Sequence, residues 1–478
     1  MDQLGEESRG LHATSHSSIS KWQSIPADLL YVIANLCFGD EDDEDDGDPR
    51  VLMQVCHNWM SVLLSMTSLW CKIILAHPTI HANKRRVSGS EICHTPAELR
   101  KALERTNGGT IKLQCWFDSN QWDRADGHDR AEELLEVIQM SRLFLRIRHI
   151  TFLSGSSKRM EGIGFDGWEL PVLEEAILEG SPPVLDKQIQ QTAHRLRFLS
   201  IIKADSDPLN WDLSKMSTPL AVELVGNSPG GRQKLQLRQM ITSTRNIVEL
   251  TIWDFTIPGS ELLSLPMLQT MELNTTRFEC NLDCPSLTKL HLYQSSIRTS
   301  GSDPFVSPSL KALELNDLEN KDLLNIRVGS LETLQFLFFT SGDVSYIEMF
   351  FAQMIKDGHV RPRTLQLQHV HVDSSSLISI LREVPDLSEL LIEKCPLEIQ
   401  LFEAFAGCSL PAELDSPRRP PIVPSLQVFK VISSYSTYSK DYADIIDWLT
   451  WTVDARSKNG YPLKAAIRDV DGTPWVDI

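Results

Sequence analysis

The chain predicts an α/β fold: a curved array of short parallel strands backed by helices, preceded by a small all-α module. Three observations lead there. At 478 residues the chain is too long for one ordinary compact core, so it holds several domains or one elongated array. Between residues 25 and 74 apolar residues fall at helical spacing. Past residue 170, three apolar positions recur as first, fourth and sixth of a short segment.

Charge and cysteine usage narrow the function classes. With 46 basic against 64 acidic residues the net charge is −18, which repels phosphate backbones and disfavours a nucleic-acid partner. The opening MDQLGEESRG lacks the basic and apolar regions of a signal peptide, and no apolar run is long enough for a membrane span. The expected location is cytoplasmic or nuclear. The nine cysteines are scattered and read as small buried hydrophobes. Cys280 and Cys284 form the closest pair, but no second Cys/His pair at metal-ligand spacing follows. No metal and no cofactor is expected.

Residues 1–20 are polar and too poor in apolar content to order, so they predict a disordered tail. A helical module is expected over 21–80. Pro26 suits a first helical turn and Asp28 favours the positive end of the helix dipole, after which Leu29, Leu30, Ile33, Leu36 and Cys37 form one stripe. A second helix fits Val51 to Leu64, with Val55, Cys56 and Trp59 on its apolar face, and Leu69 and Trp70 close the module. Between the helices eight of the nine residues from Asp40 to Asp48 are acidic, a solvated insert at 40–48. Asp42, Glu44, Asp46 and Gly47 match a calcium loop, but its twelfth position is Met53, which cannot ligate.

The ordered set Ile25, Pro26, Leu29, Leu30, Ile33, Val55, Cys56, Trp59, Leu69 and Trp70 resembles the F-box-like motif common in fungal proteins. The pattern runs as an apolar-Pro pair, a Leu-rich helix, a Val-Cys-x-x-Trp helix and a closing Leu-Trp. Two departures stand out: His57-Asn58 replaces the usual basic residue before Trp59, and the acidic insert separates the helices. The resemblance implies that these ten residues dock on the Skp adaptor of a Skp–cullin–F-box ubiquitin ligase. It further implies a non-catalytic subunit that selects a protein substrate for ubiquitin-dependent degradation.

From residue 95 helix and strand signals alternate. Thr95-Pro96-Ala97-Glu98 reads as a capping box with Gly108 as the helix stop, and Ile111, Leu113, Cys115 and Phe117 alternate as a half-buried strand. A helix around Glu132 to Leu145 and a strand from His149 to Leu153 follow. The apolar triads are Leu173-Ala176-Leu178, Leu196-Leu199-Ile201, Ile247-Leu250-Ile252, Leu268-Met271-Leu273, Leu287-Leu290-Leu292, Leu310-Leu313-Leu315, Leu331-Leu334-Phe336, Leu387-Leu390-Ile392 and Leu426-Phe429-Val431. From Ile247 to Leu331 they step by 21, 19, 23 and 21 residues, within the range of leucine-rich repeats. Proline stands two residues ahead of six triads, at Pro171, Pro266, Pro285, Pro308, Pro385 and Pro424, where its missing donor suits the start of a strand.

These units predict an irregular leucine-rich-repeat solenoid over 81–435, with helices at Arg232 to Ile241, Tyr346 to Ile355 and Ser375 to Val384. The asparagine that usually follows each triad is replaced by Ser181, Phe255, Thr276, Ser295, Leu318, Phe339, Cys395 and Ser434. A last helix, Asp441 to Arg456, lies in an expected cap at 436–478.

No enzyme is nominated. Gly162-Ile163-Gly164-Phe165-Asp166-Gly167 spells a dinucleotide fingerprint, but a polar loop precedes it and a strand, not a helix, is expected after it. His369 and His371 alternate beside a strand as surface side chains. With the triads buried, the residues between them face outward: Trp253, Asp254, Lys289, His291, Tyr293, Glu314 and Asn316 form the expected substrate-binding surface. The competing readings are a leucine-rich-repeat scaffold with no ubiquitin role and an enzyme whose site is assembled from distant residues.

Overall fold

The computed structural model describes residues 25–38, 53–54, 57–77, 91–117, 125–154, 164–202, 211, 213, 216–226, 233–234, 245–297, 305–317, 326–328, 331–337, 347, 349–350, 362–370, 372–395, 397–408, 420–433, 440–469 and 474–478. The expected tail, the acidic insert, Val55, Cys56, His371 and most of Tyr346 to Ile355 lie outside them. Two compact units are present: Met1–Lys203 with Lys215–Thr218, and Ala204–Ser214 with Pro219–Ile478.

The first unit begins with α1 (Ala27–Phe38), α2 (His57–Ser65) and a 3₁₀ turn at Thr67–Trp70. Strands β1 (Lys72–Ala76), β2 (Glu91–Cys93), β3 (Ile111–Trp116), β4 (Ile147–Leu153), β5 (Glu175–Glu179) and β6 (Phe198–Ile202) follow, with α3 (Pro96–Arg105), α4 (Ala125–Met140) and α5 (Pro183–Thr192) between them. They pair in parallel in the order β2–β1–β3–β4–β5–β6. The capping box forms as expected: Glu98 N donates to Thr95 Oγ1 at 3.3 Å and Thr95 N donates to Glu98 Oε2 at 3.1 Å. Phe144, Phe152, Phe165 and Trp168 join the core through ring contacts of 5.0 to 6.1 Å. The glycine-rich stretch thus ends in a turn, with Gly167 at φ 76 and Trp168 fully buried after it, and no helix opens there.

In the second unit β7 (Leu220–Val225), β9 (Ile247–Trp253), β11 (Thr270–Asn274), β13 (Lys289–Tyr293), β16 (Ala312–Asn316), β18 (Thr333–Leu337), β19 (Thr364–Gln368), β20 (Glu389–Glu393), β21 (Val428–Ile432) and β22 (Lys464–Arg468) pair in parallel in that order. A final strand, β23 (Val476–Asp477), runs antiparallel to β22. Helices α6 (Ser374–Arg382), α7 (Ile399–Ala406) and α8 (Lys440–Lys458) lie between the later strands. A smaller sheet orders β14 (Ser296–Ile297), β12 (Arg277–Asp283), β10 (Phe255–Ser264) and β8 (Gln233–Lys234), and β15 (Phe305–Ser307) pairs with β17 (Ile326–Val328).

The expected irregular leucine-rich-repeat solenoid is therefore not the fold observed. The principal architecture is a large mixed sheet of 17 strands, mostly parallel, with eight α-helices among the described residues. Of the helix expected from Arg232 to Ile241 only Gln233 and Lys234 are among the described residues, and these two form strand β8, paired with β10. Chain length accounts for the shortest steps. The 23-residue step from Leu173 to Leu196 carries the ten-residue helix α5. Steps of 19 and 21 residues leave too little chain for such a helix and its turns. A strand of five residues advances about 16 Å, which about five extended residues can retrace, whereas a helix rising about 1.5 Å per residue needs about eleven. The returns over Phe255–Ser264 and Arg277–Asp283 are accordingly extended, and they pair with each other.

Burial follows the apolar triads closely. Every one of their 27 side chains is buried, the most exposed being Ile201 at 6%. The hydrogen-bonding role left vacant by the missing asparagine is filled by other side chains. Thr276 Oγ1 accepts from Phe255 N and donates to Ile252 O at 3.1 Å, and Ser295 Oγ accepts from Thr276 N at 2.9 Å and donates to Tyr293 O at 2.7 Å. Cys395 Sγ does the same between Val370 N and Leu367 O.

Candidate docking surfaces

In the first unit, α1 starts on Pro26, whose carbonyl accepts from the amides of Leu29 and Leu30. Ala34 then packs with Leu63, Met66, Leu69 and Trp70 in one apolar cluster. Trp70 is locked by its Nε1–H, which donates to Leu63 O at 2.8 Å, and by the Arg105 guanidinium 5.5 Å from its ring centre.

The motif residues consequently divide. Leu30, Trp59, Leu69 and Trp70 are buried within this unit. Ile25 and Ile33 are half-buried, Pro26 is exposed, and Leu29 stands 54% exposed. Val32 and Tyr31, which the motif does not contain, are exposed at 52% and 41%. Three residues apart, Leu29 and Val32 share one helical face. The signal for Val32 was available in that spacing, but the ordered motif drew attention to the residues that build the core.

In the second unit the outward residues of β9, β11, β13 and β16 align in rows set by strand register. Trp253, Asn274, Tyr293 and Asn316 occupy one row. Thr251, Glu272, His291 and Glu314 form the next, and Glu249, Thr270, Lys289 and Ala312 the third. Trp253 and Tyr293 are 36% and 38% exposed. His291 Nδ1 lies 3.7 Å from Glu314 Oε2, beyond hydrogen-bond length.

No protein-family model matches the chain, and no curated protein matches it.

Of the seven expected substrate-binding residues, six lie on this face. Asp254 sits one residue past it, in a left-handed turn with φ 61, its amide donating to Asn274 O at 2.9 Å. The turn is fixed from the other side by Gly226, whose amide donates to Trp253 O at 2.8 Å, and a Cβ there would meet Asp254 O at 2.7 Å. Glu272 and Asn274 share this face on the strand between the two aromatic residues, and the sequence marks them only as the outward positions beside the triad Leu268-Met271-Leu273.

This surface presents carboxylates, ring faces and amides. Among the described residues no group of three or more His, Cys, Asp and Glu is placed to hold a metal. Burial pushes the thiols of Cys280 and Cys284 up to about 12, so at neutral pH both are protonated. No helix among the described residues is long and apolar enough to cross a membrane.

Proposed function

We propose that this chain is the substrate-recognition adaptor of a Skp–cullin–F-box type ubiquitin ligase, a non-catalytic subunit working in the cytoplasm or nucleus. The Skp adaptor is held by the N-terminal helices, and a protein substrate by the outward sheet face of β9 to β16. The observation that carries this reading is the division of α1. It spends Leu30 and Ala34 on a core shared with α2 and the Thr67–Trp70 turn, yet leaves Leu29, Tyr31 and Val32 in solvent. Leu29 and Val32 form an apolar stripe, and such a stripe on a helix whose other side is already satisfied fits a groove on a partner.

The experiment is co-purification of the full-length chain with the Skp adaptor. Wild type should retain the adaptor, and Leu29→Asp with Val32→Asp should release it while leaving the melting temperature unchanged, because both side chains are exposed. Wild type that fails to hold the adaptor removes the ligase and leaves a scaffold with no ubiquitin role. Leu30→Ala with Trp59→Ala would be a poorer test, since both side chains are core and their loss costs several kcal/mol of stability.

A further inference from the structure

We infer that the outward face of β9, β11, β13 and β16 binds an extended, proline-rich basic segment whose cationic side chains recur at every third residue. This names the substrate class of the capture face, and it rests on the reading that the face captures a protein. Across four adjacent strands, rings and carboxylates alternate: Trp253 on β9, Glu272 on β11, Tyr293 on β13 and Glu314 on β16. A lysine or arginine over an exposed ring, with a carboxylate on the neighbouring strand, gains both a cation–π and an ionic contact.

One acceptor on the face is left to be filled: no hydrogen bond or ion pair engages Glu272 among the described residues, and its carboxylate accepts hydrogen bonds, as a guanidinium requires. Lys289 is four residues back along the strand from Tyr293, about 13 Å away, and so does not neutralise the ring row. His291 lies between Glu272 and Glu314 in its row, one imidazole against two carboxylates, with its Nδ1 3.7 Å from Glu314 Oε2.

Spacing selects the conformation of the ligand. Trp253 and Tyr293 are two strands apart, about 9.6 Å at the usual strand separation. A polyproline-II segment presents like side chains every third residue, about 9.3 Å apart, and needs no backbone hydrogen bonds from the sheet. A second copy of this chain is the wrong occupant, because two surfaces of a protein with net charge −18 repel.

The test uses the purified full-length chain and a fluorescent peptide of three Arg-Pro-Pro repeats, with anisotropy as the readout. A permuted peptide with its three arginines contiguous serves as comparator. The repeat peptide should bind more tightly than the permuted one, and Trp253→Ala with Tyr293→Ala should weaken it by about tenfold or more. Glu272→Gln with Glu314→Gln should weaken it similarly. Should the aromatic variant misfold, Glu272→Lys with Glu314→Lys decides the matter by accepting a peptide of Glu-Pro-Pro repeats that wild type rejects.

Equal binding of the two arginine peptides overturns the inference, as does unchanged binding by the carboxamide variant. So does binding that disappears when the acidic residues of Asp40 to Asp48 are replaced by amides. Skp-adaptor retention without peptide binding overturns this inference alone, and peptide binding without adaptor retention overturns only the ligase.

Discussion

Asp186 occupies the first turn of α5, where Ser181 Oγ donates to its Oδ1 at 2.6 Å. Burial pushes its carboxyl up to about 7, against the smaller opposing effect of the Ser181 bond. A carboxyl raised above its unfolded value contributes stability that is complete below the unfolded pKa and is lost as pH rises towards 7. Asp186→Asn keeps the shape and the acceptor while removing the titration. It should therefore raise the thermal midpoint at pH 8, by an amount that shrinks to nothing as the pH falls towards 4. A midpoint difference independent of pH would show that the carboxyl titrates normally. The sequence offered no sign of this group, since Asp186 reads as an ordinary first-turn acid and its burial depends on the loop at Ser181. Thr95 and Glu98, by contrast, were legible because a capping box is made within four residues.

At the scale of elements, one charged side chain adds to the apolar contacts that anchor α8. Arg456 is fully buried, and its two terminal nitrogens donate to four backbone carbonyls: Phe405 and Val423 from Nη1, Pro424 and Leu426 from Nη2, all at 3.1 to 3.2 Å. Burial lowers its pKa to about 10, still above neutrality, so the charge is retained and shared by carbonyl dipoles. A lysine carries three donors on a single point and cannot reach all four. Arg456→Lys should cost about 3 kcal/mol in denaturant unfolding, and a loss under about 1 kcal/mol would show that the carbonyls rearrange or take up water. The helix itself was readable as Asp441 to Arg456, two residues short at its end. Strands were readable wherever the triad was complete. Among those missed, β7 has Leu220, Val222 and Leu224 at simple alternation, and β19 and β22 have Pro362 and Pro462 in the first position. The alternating Phe255-Ile257 and Phe278-Cys280, now on β10 and β12, were visible in principle, but two positions of alternation are too few to name a strand.

At the scale of the whole molecule, the second unit depends on its last elements. Phe402 and Phe405 pack on Phe429 with ring centres 6.3 and 5.2 Å away, Trp448 of α8 closes on Phe402 at 5.5 Å, and β22 covers the edge of β21. A chain ending at residue 433 exposes those rings together with the five-residue edge of β21. Such a truncation should lose the cooperative melt and elute as aggregate on size exclusion, and a monodisperse product with a sharp transition would contradict it. The sequence disclosed the all-α start and the strand-rich remainder, and the buried side of each triad. It could not disclose how the intervening segments return, because helix and extended chain differ there by only a few residues of length.

The side chains that stand in for the missing asparagine all act in one direction. Thr276 completes the backbone at Phe255, Ser295 completes it at Thr276, and Cys395 completes it at Val370. The turn amides share the polarity: Asp254, Thr275, Gln294, His369 and Lys394 each donate to a carbonyl on the following strand of the sheet. These turns at the strand ends are thus finished by the successor, whereas the amides at the strand starts, Gln269, Lys289 and Lys311 among them, donate back to carbonyls of the preceding segment. During synthesis the most recently emerged turn always waits, its donors open to water, until another twenty or so residues leave the ribosome.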